Sequence, residues 1–213
     1  MKMSRVIVPA IALCAAAASA RADFYTKVDA LYNNPADVKV DSASAFRASI
    51  KSSLGYSASL GYKFSLVRAE LEVQYFNSSA SGASNSSSGG LTVSGDYRQF
   101  SGFLNGYVDL PSFFGLAPYV GAGVGKAVID LDQLSAQQGG GNVVQFWGRG
   151  VANGYQFMAG LQYHVLGKAT ANIGYRVMHK GSFETHNFAS NLRQDVGAGG
   201  FDQMFEIGIA WGF

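Results

Sequence analysis

The amino-acid sequence predicts an all-β chain that closes into an eight-stranded antiparallel up-and-down transmembrane β-barrel. Three observations predict it. The composition is too poor in charge for a water-facing exterior. Apolar residues recur at period two along the chain. The connections between those stretches alternate long and short.

Charged residues make up 14% of the 213 residues, against aromatics at 13% and 27 glycines; an ordinary soluble domain carries about 25% charge. Beyond residue 22 no apolar run is long enough for a membrane helix. The nearest candidate, 110–125, is interrupted by Pro111, Pro118 and several glycines. Backbone groups in hydrocarbon must be paired within the protein, so a spanning chain without helices is a closed barrel.

The first element is a leader, expected at 1–22. Lys2 and Arg5 supply its charged start, 6–18 its apolar stretch, and Ala18-Ser19-Ala20 and Ala20-Arg21-Ala22 two small-x-small cleavage sites. Cleavage after Ala22 leaves a barrel domain at 23–213. Cys14, the only cysteine, lies in the leader and follows Leu13, where a lipoprotein signal needs a small residue. The mature chain then holds no thiol for a disulfide or a thiolate metal site. Losing Lys2, Arg5 and Arg21 takes the net charge from +2 to −1, with 13 basic against 14 acidic residues. With no basic run or patch, a nucleic-acid partner is not expected.

Eight stretches follow with the length of membrane strands, about 9–11 residues each: 24–33, 54–64, 66–76, 96–110, 117–129, 153–165, 169–180 and 201–213. The alternation is plainest at the end, where Phe205, Ile207, Ile209, Trp211 and Phe213 interleave with Glu206, Gly208, Ala210 and Gly212. It is as clear where Val67, Ala69, Leu71, Val73 and Tyr75 interleave with Arg68, Glu70, Glu72 and Gln74. The connections run long (34–53), tight (Ser65), long (77–95), short (111–116), long (130–152), short (166–168) and long (181–200). That rhythm is the one expected of a bacterial outer-membrane barrel with short periplasmic turns and long external loops. An even strand count puts both ends of the barrel on the periplasmic side. A soluble sandwich or lipocalin-like barrel also alternates, but it turns its apolar face inward and charges its outer face.

The stretch Ala117-Pro118-Tyr119-Val120-Gly121-Ala122-Gly123-Val124-Gly125, the segment Asn172-Ile173-Gly174-Tyr175-Arg176 and the terminal Ile209-Ala210-Trp211-Gly212-Phe213 resemble one superfamily. It is that of the eight-stranded porin-like outer-membrane barrels, which includes opacity proteins, surface antigens and the membrane domain of outer membrane protein A. The resemblance covers the whole mature chain, which is expected to end at the barrel without the peptidoglycan-binding domain that follows it in outer membrane protein A. It implies that Phe213, a terminal aromatic on an alternating strand, is the signal read by the barrel-assembly machinery.

The inward positions are the candidate site: Lys27, Asp29, Lys63, Arg68, Glu70, Glu72, Gln74, Gln156, Gln162, His164, Arg176, Lys180 and Glu206. The lumen of eight strands is barely wider than the side chains that fill it, and charges buried there must be paired. The expectation is a plugged lumen in which Arg68 and Arg176 face Glu70, Glu72 and Glu206; a narrow pore is the alternative. Gly121 to Lys126 fails as a phosphate loop, because the spacing is wrong and Ala127 follows the lysine. The glycines there line one strand face opposite bulky neighbours. His179, Ser182, Glu184 and His186 cluster where barrel-type lipid A deacylases keep a His-Ser-Glu site. Here the His and Ser stand three apart instead of two, so polar edge residues are the simpler reading. His164, His179 and His186 lack a metal spacing; no catalytic residue, metal or cofactor is expected.

Two aromatic girdles are expected. Phe24, Tyr62, Phe64, Phe113, Phe114, Tyr163, Trp211 and Phe213 form the periplasmic one; Tyr32, Tyr75, Tyr97, Tyr155 and Phe157 form the outer one. Phe146 and Trp147 fall in the third long loop. The function expected is surface display of flexible loops, as in a surface antigen or adhesin. The alternatives are a small-solute porin and, more remotely, a lipid A-modifying enzyme. Expected partners are outer-membrane lipid and lipopolysaccharide, the barrel-assembly machinery, and a host or surface ligand met by loops 34–53, 77–95, 130–152 and 181–200.

Overall fold

The computed structural model describes residues 24–36, 38–40, 46–84, 91–138, 141–186, 193–198 and 200–212. The expected leader and Phe213 lie outside them. Twelve strands are present: β1 (Phe24–Asn34), β2 (Val38–Val40), β3 (Phe46–Ile50), β4 (Ser53–Phe64), β5 (Val67–Ser84), β6 (Leu91–Asp109), β7 (Leu116–Gln138), β8 (Gly141–Leu166), β9 (Ala169–Lys180), β10 (Phe183–His186), β11 (Arg193–Ala198) and β12 (Phe201–Gly212). Eight of them, β1, β4, β5, β6, β7, β8, β9 and β12, pair each with the next, all antiparallel. β12 returns to β1, from Tyr25↔Gly212 to Asn34↔Gln203, and closes the ring.

Three tight turns join the strands at one end, each with the positive φ that such hairpins demand. Ser65 (φ 57°) links β4 to β5 and Gly167 (φ 56°) links β8 to β9. Phe114 (φ 53°) and Gly115 (φ 80°) form the centre of the third, where Phe113 and Leu116 exchange both backbone hydrogen bonds, at 2.8 and 3.0 Å.

At the other end the structure corrects the expectation of long loops. β5 and β6 pair outward as far as Ala83↔Leu91, and β7 and β8 as far as Gln138↔Gly141. Stretches 77–95 and 130–152 are therefore largely strand. Within 34–53 and 181–200, β2, β3, β10 and β11 pair in series and join the outer part of β5 through β3. A ladder already begun in the membrane grows one residue pair at a time without a new loop to close. Segments such as Leu91-Thr92-Val93 and Val143-Val144 carry the β-branched residues that ladders favour.

The hydrophobic pattern is inverted relative to a soluble protein. Val28, Leu60, Leu71, Leu104, Val124, Ile173 and Ile207 all point outward and are exposed, while Arg176, Glu70, Glu72 and Gln156 point inward and are fully buried. So large an apolar exterior marks contact with another phase. Of the expected girdle residues, Phe24, Tyr62, Phe64, Phe113, Phe114, Tyr163 and Trp211 are exposed around the tight-turn end, and Tyr32, Tyr75, Tyr155 and Phe157 toward the other. Tyr97 is not among them. It is 3% exposed and faces the lumen, because it shares strand parity with Gln99 and Ser101. Phe146 lies in β8, paired with Leu134.

The row Gly121, Gly123 and Gly125 makes room across β6. These residues pair with Tyr107, Asn105 and Phe103, and a Cβ on any of them would collide with the side chain opposite. Bulky lumen groups thus lean over glycines, and the barrel fills without widening.

Candidate functional site

The lumen is arranged in tiers. Nearest the tight turns, Arg68 donates from Nε to Asp109 Oδ1 (2.8 Å) and from Nη1 to Tyr25 Oη and Glu70 Oε1 (both 3.1 Å). Tyr25 in turn donates to Glu70 Oε1 at 2.6 Å. The guanidinium lies 4.5 Å from the centre of the Tyr107 ring and 5.3 Å from that of Tyr119, the geometry of a cation–π contact. Lys27 bridges Asp29 and Glu70, at 3.4 Å each, and Lys63 meets Asp109 at 2.9 Å. Asp29 also accepts from Ser57 (2.8 Å) and Asn172 (2.9 Å).

Above this, Arg176 sits with no exposure between two carboxylates. Its Nη1 is 2.8 Å from both oxygens of Glu72, and its Nη2 is 2.6 Å from Glu206 Oε2. Asn105 donates to Glu72 at 2.6 Å, and Gln156 donates to Asn105 at 2.8 Å. Tyr119 donates to Glu206 at 2.6 Å. Gln74 joins through Gln156 at 3.2 Å. Both carboxylates therefore keep a neutral donor beside the guanidinium, as buried charge requires.

A third tier is apolar: Leu31, Phe76, Phe103, Met178 and Met204 form one buried cluster across the lumen. Beyond it Lys180 meets Asp202 (2.6 Å), Gln99 (3.0 Å) and Tyr97 (3.2 Å). Asp202 also accepts from the Ala36 amide at 3.0 Å.

Arg68 thus contacts Glu70, and Arg176 contacts Glu72 and Glu206. Lys27, Asp29, Gln74, Gln156 and Lys180 are buried with them. Lys63 is partly exposed and His164 is exposed at the mouth, where its Nδ1 lies 3.0 Å from Thr170 Oγ1. Sequence reasoning missed Asp109, Asn105, Asp202 and the inward tyrosines Tyr25, Tyr107 and Tyr119. Parity was the available signal: Asp202 stands four residues before Glu206, and Asn105 and Asp109 stand four apart on one face. It also missed the apolar tier, whose residues look lipid-facing when read singly. His179 faces outward between the rings of Tyr155 (5.1 Å) and Phe201 (5.2 Å), and its Nδ1 lies 3.3 Å from the Gly200 carbonyl oxygen. Ser182 is exposed off the strand, and among the described residues no hydrogen bond joins it to His179. The side chains of Glu184 and His186 lie outside the described set.

A ring of eight paired strands, apolar outside and ionic inside, with tight turns at one end and long hairpins at the other, defines a transmembrane β-barrel of the bacterial outer membrane. The chain belongs to the outer membrane protein beta-barrel domain family, whose model matches residues 6–213. It is similar in fold to Neisserial surface protein A, with a TM-score of 0.56 and 18% identity over 89% of this chain and 97% of that one. Outer membrane protein AlkL, solved by solid-state NMR in lipid bilayers, gives 0.53 and 14% over 90% of each chain. Uncharacterized proteins of Brucella abortus (strain 2308) and Brucella melitensis (strain 16M) are 26% identical in an alignment of 171 positions that covers 70% of this chain. The match spans 59% of the length of those relatives.

Proposed function

We propose that this outer-membrane barrel is a non-catalytic surface-interaction protein: a sealed anchor that presents a β-structured crown to the cell exterior. The carrying observation is the sequence of tiers, in which an ion-paired network lies beneath an apolar cluster and both are buried across the lumen. A conducting path would have to pass Arg176, whose Nη1 and Nη2 are held by the buried Glu72, Gln156 and Glu206. The length of the outer hairpins supports the display half of the reading. β8 has 26 residues, against the roughly 10 that cross the hydrocarbon. The name of one fold neighbour, Neisserial surface protein A, agrees with display.

The proposed partners are lipid and lipopolysaccharide around the apolar belt, the barrel-assembly machinery at Phe213, and a host or surface ligand at the crown. Two measurements test the reading. An epitope inserted between Gln138 and Gly141, the outermost described pair of β7 and β8, should be stained on intact cells; staining only after permeabilisation overturns display. Purified protein in planar bilayers should give no steady conductance, and stable single-channel steps overturn the sealed lumen in favour of the porin.

A further inference from the structure

The tight-turn end of the lumen does not fill. A cavity of about 230 Å³ opens there, bounded by β1, β4, β5, β8, β9 and β12. That is smaller than the roughly 300–1,000 Å³ of sites for drug-sized ligands, so its occupant is a small group. Its lining has one sign of charge. Lys27, Lys63, Arg68 and Lys168 all border it, and no Asp or Glu does. The nearby carboxylates, Asp29, Glu70 and Asp109, stand behind these cations and are each already engaged by them. Lys168 is left as an exposed cation on the turn, and among the described residues it has no ion-pair partner.

Neutral groups add donors. Gln162, with its amide oxygen turned to accept from Arg68 Nη2 at 2.6 Å, directs its NH₂ group away from the guanidinium. His164 and Thr170 form a hydrogen-bonded pair on the wall. A recess of low-dielectric walls lined by one sign of charge concentrates the opposite sign.

We propose that this periplasmic vestibule is a binding site for a phosphate oxyanion, reached from the periplasm and independent of the crown. Lys63, Lys168 and the Gln162 amide hold its oxygens. Two sources share the chemistry: a soluble phosphate ester, or the headgroup of an inner-leaflet phospholipid bent into the mouth.

The test uses ¹⁵N-labelled full-length protein in a phosphate-free maltoside micelle, titrated with inorganic phosphate and followed by NMR. Saturable shifts confined to 162–172 and to Lys63 and Arg68 are expected. Equal shifts with chloride at the same ionic strength, or no saturation, overturn the site. The double variant His164→Gln/Lys168→Gln changes only exposed groups and should weaken phosphate binding about tenfold. Lys126→Gln, midway along β7 on its exposed outer face and away from the cavity, should leave it unchanged; equal weakening by both overturns the site. Glycerol 3-phosphate and sub-micellar dihexanoyl phosphatidylglycerol then name the source. Tighter binding of the first assigns a soluble ester, and of the second a lipid headgroup. Failure of both overturns the proposal, with the display reading untouched.

Discussion

Replacing Arg176 by methionine separates the worth of the central ion pairs from the worth of merely filling space. Methionine approximates the volume of the side chain but leaves Glu72 and Glu206 buried without their cation. Removing one partner of a buried pair costs about 3–5 kcal/mol. Two pairs share this guanidinium, yet the cost does not double. Glu72 keeps Asn105 at 2.6 Å and Gln156 at 3.2 Å, and Glu206 keeps Tyr119 at 2.6 Å. The expected loss is therefore about 3–5 kcal/mol in total. With a urea slope of about 1–3 kcal/mol/M, a loss near 4 kcal/mol moves the unfolding midpoint by roughly 1–4 M. The assay is equilibrium urea unfolding in lipid vesicles, read by the fluorescence of tryptophan; Trp211, exposed on the outer face, reports loss of lipid contact. The triple variant Arg176→Met/Glu72→Gln/Glu206→Gln removes the orphaned charges and should recover most of the loss, a strong non-additivity. A single-variant shift below about 0.5 M, or a triple variant less stable than the single, refutes the reasoning.

Three further outcomes are expected. Gly125→Ala places a Cβ against the Gly102 carbonyl oxygen and should cost about 1–3 kcal/mol, whereas Gly106→Ala meets open space and should be neutral or stabilising by up to about 1 kcal/mol; the same unfolding assay ranks the two. Leu104→Arg, on the exposed outer face of β6, should cost about 2–4 kcal/mol if that position lies deep in the bilayer, and an unchanged midpoint would place it elsewhere. Truncating both the network and the apolar tier, as Arg176→Ala/Phe103→Ala, should yield conductance steps in planar bilayers that neither single variant gives.

Much of this architecture was legible in the residues because a strand writes its two faces at period two. On β5 the split between Leu71 and Glu72 leaves no doubt about which side meets lipid. The tight turns at 65–66 and 167–168 were equally readable, since two residues between alternating runs admit few geometries. β6 was harder. Its inward row, Tyr97, Gln99, Ser101, Phe103, Asn105, Tyr107 and Asp109, mixes rings with amides, so polarity alone does not tell the faces apart. An aromatic near a strand end, Tyr97 reads as a girdle residue, and only its parity with Gln99 and Ser101 turns it inward. The apolar tier was invisible because Leu31, Phe76, Phe103, Met178 and Met204 come from five strands and meet only in three dimensions. The crown was hidden because a Ser/Gly/Asn-rich stretch has the composition of a loop, while its ladder hydrogen bonds are made by backbone that any side chain permits. At the site, the partners of Arg176 could be named but those of Arg68 only in part. Asp109 lies 41 positions away and reaches Arg68 through the β5–β6 register.

The seam between β1 and β12 carries a consequence for biogenesis. The first barrel strand to leave the ribosome bonds to the last, so no partly translated chain holds a sheet without two bare edges. Insertion into lipid at that stage would strand a row of unsatisfied amides and carbonyls in hydrocarbon. The ring therefore gains its last row of backbone hydrogen bonds only when β12 meets β1.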